Sequence, residues 1–271
     1  MRNDISLFGM LRALLLVLLL AACSSPADNQ SAYPQNPAIS DAQGYPRDSS
    51  TLYFPAADSS YIDSITAHTT STPPHELLLA SCNLWHFGAP VLSNYYLGAN
   101  RYRFLWLRSF SRPVLLTLTQ RATGAILRTQ FLDKPACSPQ LSAILFIPPG
   151  TSATQERKLQ QEFQKRQADP AMQQARARVN RPPIQLVALE TTHPVSPAQW
   201  GRFAQLLQNS AFQQLPTYEE SMTLDGAYWL LEAHKASGYH AVFRHSPEKQ
   251  DNFRRACEYL LDLSSARKED R

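Results

Sequence analysis

The chain of 271 residues carries little excess charge, no C-x-x-C pair and no apolar run long enough to cross a bilayer. Its longest early run, Ala13–Ala22, spans ten residues, against about 20 for a transmembrane helix. Net charge is only +4, too mild to imply a nucleic-acid partner. Without C-x-x-C spacing, neither a zinc ribbon nor a thioredoxin-like dithiol is expected. G-x-S-x-G, H-E-x-x-H, P-loop and G-x-G-x-x-G patterns are absent as well, which argues against the hydrolase, metalloprotease and nucleotide-binding families that use them. No cofactor or metal is expected.

What the N-terminus does contain is an address. Arg2 and Arg12 precede the apolar run, and small residues close it, the order of a secretory signal peptide. Leu20-Ala21-Ala22-Cys23 resembles the lipobox of bacterial lipoproteins. That resemblance implies diacylglyceryl transfer to the Cys23 sulfur, cleavage after Ala22 and acylation of the new amino terminus with a chain such as palmitate. More than one acyl chain is what stable anchoring requires. Ser24 resembles the outer-membrane sorting signal, so the mature protein is expected in the cell envelope, on the periplasmic face or the surface, with residues 1–22 removed.

Residues 23–74 read as a lipidated cysteine and a disordered tether. Seven prolines fall between Ser24 and Pro74 among Ser, Asp, Asn and Gln, and Gly44 is the one glycine, a composition that stiffens a linker. Leu52-Tyr53-Phe54 and Tyr61-Ile62 are the apolar spots available to dock on a domain. With Cys23 lipidated, Cys82, Cys137 and Cys257 remain, an odd number in an oxidising compartment. Cys82–Cys137 is the preferred disulfide, and Cys257, on an apolar helix face, reads as a buried small hydrophobe.

From residue 75 to 271 the pattern predicts one α+β domain, a mostly antiparallel sheet of hairpins packed against two or three helices. Glu76–Trp85 is apolar and reads as either a helix or a strand. Arg101–Phe110 reads as a strand, and Val114–Arg121 with Ala125–Leu132 as a hairpin around Ala122-Thr123-Gly124. Leu141–Ile147 and Ile184–Glu190 read as further strands. Residues 154–181 form a Gln/Arg-rich helical excursion broken at Asp169-Pro170; Arg157–Arg181 holds seven basic and two acidic residues. Such a segment is either a solvated helix or a contact for anionic lipid or an acidic envelope polymer. Ser196-Pro197 opens a helix with Trp200, Phe203, Leu206 and Leu207 inward, and Glu248–Ser265 closes the domain as another, with Phe253, Cys257, Leu260 and Leu261 inward.

The most chemically loaded stretch is the hairpin Thr223–Pro247. A two-residue loop, Ser237-Gly238, sets residue 232 opposite 243. A three-residue loop, Ala236-Ser237-Gly238, sets 233 opposite 241 and gathers Glu232, His234, His240 and Arg244 on one polar face. The second register is preferred because it sorts apolar from polar. The cluster then offers either an acid–base pair or a cross-strand ion pair that stabilises the sheet. Trp85, Trp106, Trp200 and Trp229 could line a sugar-binding face, but each sits inside an apolar run and reads as core. The segments Tyr102–Leu118 and Leu224–Pro247, with DGA-x-W-x-x-E and Y-H…R-x-S-P patterns, resemble a group of bacterial proteins that have no established activity, so the resemblance implies no catalytic residues. The expected function is a membrane-anchored envelope lipoprotein in a binding or structural role. The alternative is a periplasmic enzyme using the polar face of the 223–247 hairpin.

Overall fold

Six antiparallel strands form the centre of the folded unit, and hydrophobic clusters pack on both of their faces. The structure is a computed structural model. It describes residues 32–55, 61–62, 69–70, 74–109, 111–136, 145, 147–185, 191–219, 226–264 and 266–267. The chain divides into units 1–32 and 33–271, and every element that follows belongs to the second. A short antiparallel pair, β1 (Tyr61–Ile62) and β2 (Thr69–Thr70), precedes helix α1 (His75–His86). The main sheet comprises β3 (Arg101–Arg108), β4 (Val114–Arg121), β5 (Gly124–Phe131), β6 (Thr191–Val195), β7 (Ala227–Lys235) and β8 (Gly238–His245). Its order is β6-β5-β4-β3-β7-β8, and each neighbouring pair runs antiparallel. Helices α2 (Ala153–Gln167) and α3 (Pro170–Asn180) lie between β5 and β6 in the chain; α4 (Pro197–Asn209) follows β6, and α5 (Asn252–Leu263) follows β8. The fold is α+β, as the alternation of strand runs and helices predicts.

Helix boundaries follow the capping chemistry of the sequence. Ser196 accepts from the Gln199 amide while the Gln199 side chain returns to Ser196, a full capping box before Pro197, which satisfies two otherwise orphaned donors. Asp169 caps α3 with Pro170 at its first turn, so the break predicted at Asp169-Pro170 is a helix start. Asp251 caps α5 through the Phe253 amide at 2.8 Å. Phe253, Cys257, Leu260 and Leu261 point inward from α5, as do Phe203, Leu206 and Leu207 from α4, with Trp200 half-buried.

One face of the sheet packs Tyr102, Phe104, Leu116, Leu118, Leu127, Trp229 and Leu231 against α4 and α5. The other packs Leu105, Leu107, Leu115, Leu230 and Phe243 against α1 and an N-terminal segment. That segment corrects the tether reading. Residues 33–55 are not a linker: Tyr53 and Ser40 are fully buried, and Tyr33 and Phe54 nearly so. Buried Asn94 clamps it, donating to Asn36 O at 2.7 Å and Ser40 Oγ at 2.8 Å while accepting from the Asn36 amide at 2.8 Å. Gly44 is the close approach, at φ +85° with a Cβ position only 2.9 Å from Pro90 Cβ. Prolines fixing φ here shape a packed loop, and Leu52-Tyr53-Phe54 docks as one of its apolar anchors. The side chains of Tyr61 and Ile62 lie outside the described residues, as do most of Leu141–Ile147 and residues 186–190 of the strand read at Ile184–Glu190; Gln185 forms a single bridge to Leu132.

Both hairpin loops are shorter than expected. Arg121 pairs with Gly124 and Lys235 with Gly238, so the loops are Ala122-Thr123 and Ala236-Ser237. In each, glycine is the first residue of the returning strand. At Gly124 (φ +97°) a Cβ would lie 2.4 Å from the Val195 carbonyl oxygen, so β6 packs against bare backbone there. The β7–β8 register is Glu232 opposite Ala241 and Leu230 opposite Phe243, and it matches neither of the two registers weighed from the sequence. Sorting apolar from polar failed as a criterion because both faces are buried, and one of them buries hydrogen-bonded polar groups.

Candidate functional site

The observed register divides the polar cluster. Glu232 and His234 point to the face covered by the N-terminal segment, whereas His240 and Arg244 point to the face covered by α4 and α5. The four side chains therefore do not form one site.

Glu232 is fully buried, and its partner comes from β3, directly across the sheet. Arg103 Nε donates to Glu232 Oε2 at 2.5 Å and Nη2 to Oε1 at 2.7 Å, a bidentate fork. Arg103 Nη1 donates to the Pro90 carbonyl at 2.5 Å, and the Tyr239 hydroxyl donates to Glu232 Oε1 at 2.9 Å. The Tyr53 ring stacks 5.8 Å from the guanidinium, so the N-terminal segment closes the pair over. Burial pushes the Tyr239 hydroxyl pKa well up, and the Glu232 carboxylate adds to the shift. Arg103, Glu232 and Tyr239 come from the segments that carry the resemblance noted above. Of the three, sequence reasoning named only Glu232. The signal for Arg103 was available: an arginine inside the apolar strand Tyr102–Leu107 must either leave the sheet or find a buried anion.

His234 is held on both ring nitrogens. Nδ1 lies 2.8 Å from the Leu92 carbonyl and 3.0 Å from the Tyr33 hydroxyl, and Nε2 accepts from the Leu97 amide at 2.9 Å. The Tyr33 hydroxyl itself donates to Lys235 O at 2.7 Å. These partners require the neutral ring with its proton on Nδ1. Tyr96 stacks on the ring at 5.2 Å, and Arg101 stands opposite on β3. Burial, reinforced by Arg101 and Arg103, lowers the imidazole pKa to about 4, against an opposing hydrogen bond to Leu92. The folded ring thus binds its proton later than the unfolded one, so unfolding takes up a proton in this window. Stability should be constant in this respect above about pH 6.5 and fall as pH drops toward 4. Urea midpoints at pH 7, 5.5 and 4.5 should decline more steeply for the native chain than for His234→Gln; equal slopes would remove His234 as the cause.

On the opposite face His240 packs edge-on against Phe212, ring centroids 5.0 Å apart. Arg244 pairs with Glu219 through Nε at 3.0 Å and donates to the Pro216 and Phe243 carbonyls at 3.0 and 2.6 Å. These are packing and strand-end contacts. Among the described residues no group of three His, Cys, Asp or Glu side chains could hold a metal ion, and no helix is long and apolar enough to cross a membrane.

Cys257 is free and buried, and burial pushes its thiol pKa well up. Cys82 on α1 is disulfide-bonded; Cys23 and Cys137 lie outside the described residues. The Ala136 amide donates to the buried Asn83 side chain at 2.9 Å, which brings the chain just before Cys137 to the turn that carries Cys82. The basic segment is two exposed helices: α2 and α3 contain no buried residue, and Met172 and Val179 are open to solvent. Their base is fastened by Arg181 on Asp133 and by the Ile184 amide on Asp133 Oδ1 at 2.6 Å.

The chain matches no family model, no curated protein and no solved structure.

Proposed function

We propose that this chain is a lipid-anchored envelope protein, held at the outer membrane through Cys23, whose folded unit works by binding rather than by acid–base catalysis. The carrying observation is the state of Glu232 and His234. Both are wholly buried, and each of their side-chain polar atoms has a partner within the fold. A general acid or base must reach the proton it moves, and these two groups are instead structural. The alternative enzymatic reading also loses His240 and Arg244, which the sheet separates from them.

The anchor rests on the lipobox-like Leu20-Ala21-Ala22-Cys23. Lipidation leaves Cys82 to pair with Cys137, a pairing supported by the free Cys257 and by the Ala136–Asn83 hydrogen bond. The exposed, basic Arg157–Arg181 segment suits contact with an anionic bilayer surface. Anchoring has a direct test. In cells fed labelled palmitate the native chain should incorporate label and fractionate with membranes, and Cys23→Ala should do neither. Label persisting in the variant would overturn the assignment.

A further inference from the structure

The face that buries Arg103 is covered only in part by residues 33–55. Beyond Pro90 and Leu92 a cleft of about 250 Å³ stays open, floored by β3, β4, β5 and β6. Register explains its lining. Arg103, Thr117, Arg128 and Thr192 form an unbroken cross-strand row over four strands, and Arg101, Thr119 and Ile126 form the next. Arg121 stands at the end of β4. All four arginines line the cleft, and among the described residues no Asp or Glu does.

Two of the four arginines already have partners, and Arg128 takes part in an interaction of its own. Arg103 is neutralised by Glu232, whereas neither Arg101 nor Arg121 has an ion pair among the described residues. Elsewhere Arg181, Arg244, Arg254 and Arg267 each meet a carboxylate. Arg101 Nε is buried with no hydrogen-bond partner; the guanidinium's one bond, from Nη2 to Leu97 O, is 3.5 Å, at the limit of such an interaction. Burial, then repulsion from Arg103 and Arg121, pulls the Arg101 pKa down. A buried charged donor left unsatisfied is costly, and an anion in the cleft removes that cost.

We propose that this cleft binds a phosphoryl group, with Arg101 and Arg121 donating to its oxygens, the Thr117 and Thr119 hydroxyls beside them and Arg103 and Arg128 as fixed walls. Thr119 pairs with Arg101, and Arg121 lies two positions further along β4 on the same face, close enough for the two guanidinium groups to meet. Two guanidinium groups and two hydroxyls on neighbouring strands offer more than two donors. They match a tetrahedral oxyanion with several acceptor oxygens better than a planar carboxylate with two. Arginine is suited to such recognition. The volume, below the usual 300–1,000 Å³ or so of ligand pockets, takes a phosphate and a short polyol. Two sources share this chemistry: a soluble phosphomonoester and the phosphodiester of a lipid headgroup. The inference deepens the binding reading, and since Cys23 labelling is read separately, failure here leaves anchoring untouched.

The test is calorimetric titration of the full chain in non-ionic detergent, at low salt, with glycerol 3-phosphate and with glycerophosphoglycerol. At least one should bind saturably. Arg101→Gln should weaken that binding by about tenfold or more, the effect of losing a charge-assisted hydrogen bond. Arg121→Gln, at an exposed position, should keep the native melting temperature and weaken binding about threefold. Tighter binding of the monoester identifies a soluble ligand, and tighter binding of the diester identifies a headgroup. Saturable binding of neither, or native affinity in both variants, overturns the proposal.

Discussion

Replacing Glu232 by alanine should cost about 3–5 kcal/mol of stability, the usual effect of removing one partner from a buried ion pair. Glu232 and Arg103 are 0% and 1% exposed, so solvent cannot substitute for the lost carboxylate. The variant would leave a guanidinium charge uncompensated beneath Tyr53 and would strand the Tyr239 hydroxyl as well. Against a typical domain stability of about 5–15 kcal/mol, the loss should be obvious in a urea titration. Glu232→Gln keeps acceptor geometry but not charge, and should fall between native and alanine. The informative companion is Arg103→Met with Glu232→Leu. Apolar replacement of a whole buried pair is often close to neutral, so the double variant should recover most of the loss. The remaining deficit would come from the Pro90 carbonyl and the Tyr239 hydroxyl. A Glu232→Ala chain within about 1 kcal/mol of native would mean that the pair behaves as an exposed one.

The second large effect concerns residues 33–55. A chain that starts at residue 56 should be less stable than one that starts at Tyr33 by about 3–6 kcal/mol, counting only Tyr53 and Phe54 at about 1.5–3 kcal/mol for each buried large side chain. Tyr53, Phe54 and Tyr33 are 0%, 3% and 4% exposed, and their removal also opens Arg103 and His234 to water. Loss of the Asn94 clamp adds to the deficit. The measurement is the thermal midpoint of the two chains with the Cys82 disulfide intact. Equal midpoints would return the segment to the status of a linker.

Local chemistry was legible from the residues. Ser196-Pro197 and Asp169-Pro170 announce helix starts because a side-chain acceptor beside a proline satisfies or removes orphaned donors whatever the rest of the fold does. Strands β3, β4, β5, β7 and β8 were legible from their runs of apolar and β-branched residues. The β7–β8 register was not. The preferred register takes one face as dry and the other as polar, whereas both faces of β7 and β8 are packed and one of them buries Arg103–Glu232 and His234. The 33–55 segment was misread because polar, proline-rich composition marks low apolar content and says little about single anchors such as Tyr53. The arginine cleft was beyond reach for a topological reason. Arg101, Arg103, Arg121 and Arg128 are unremarkable along the chain, and only the strand order brings them onto one surface.

That strand order also sets a clock. Arg103 and Glu232 are 129 positions apart, yet β3 and β7 are direct neighbours in the sheet. During synthesis β3, β4 and β5 can pair as soon as they emerge, but the outer edge of β3, with its Phe104-Leu105-Trp106-Leu107 run, has no partner until β7 is made. At about 5–20 residues per second the wait is on the order of 10 s. Through that interval the nascent chain exposes an apolar strand edge, the kind of surface that templates aggregation. The vulnerable period for this protein therefore comes before completion of its C-terminal hairpin, and a chaperone that shields β3 during elongation would protect it most.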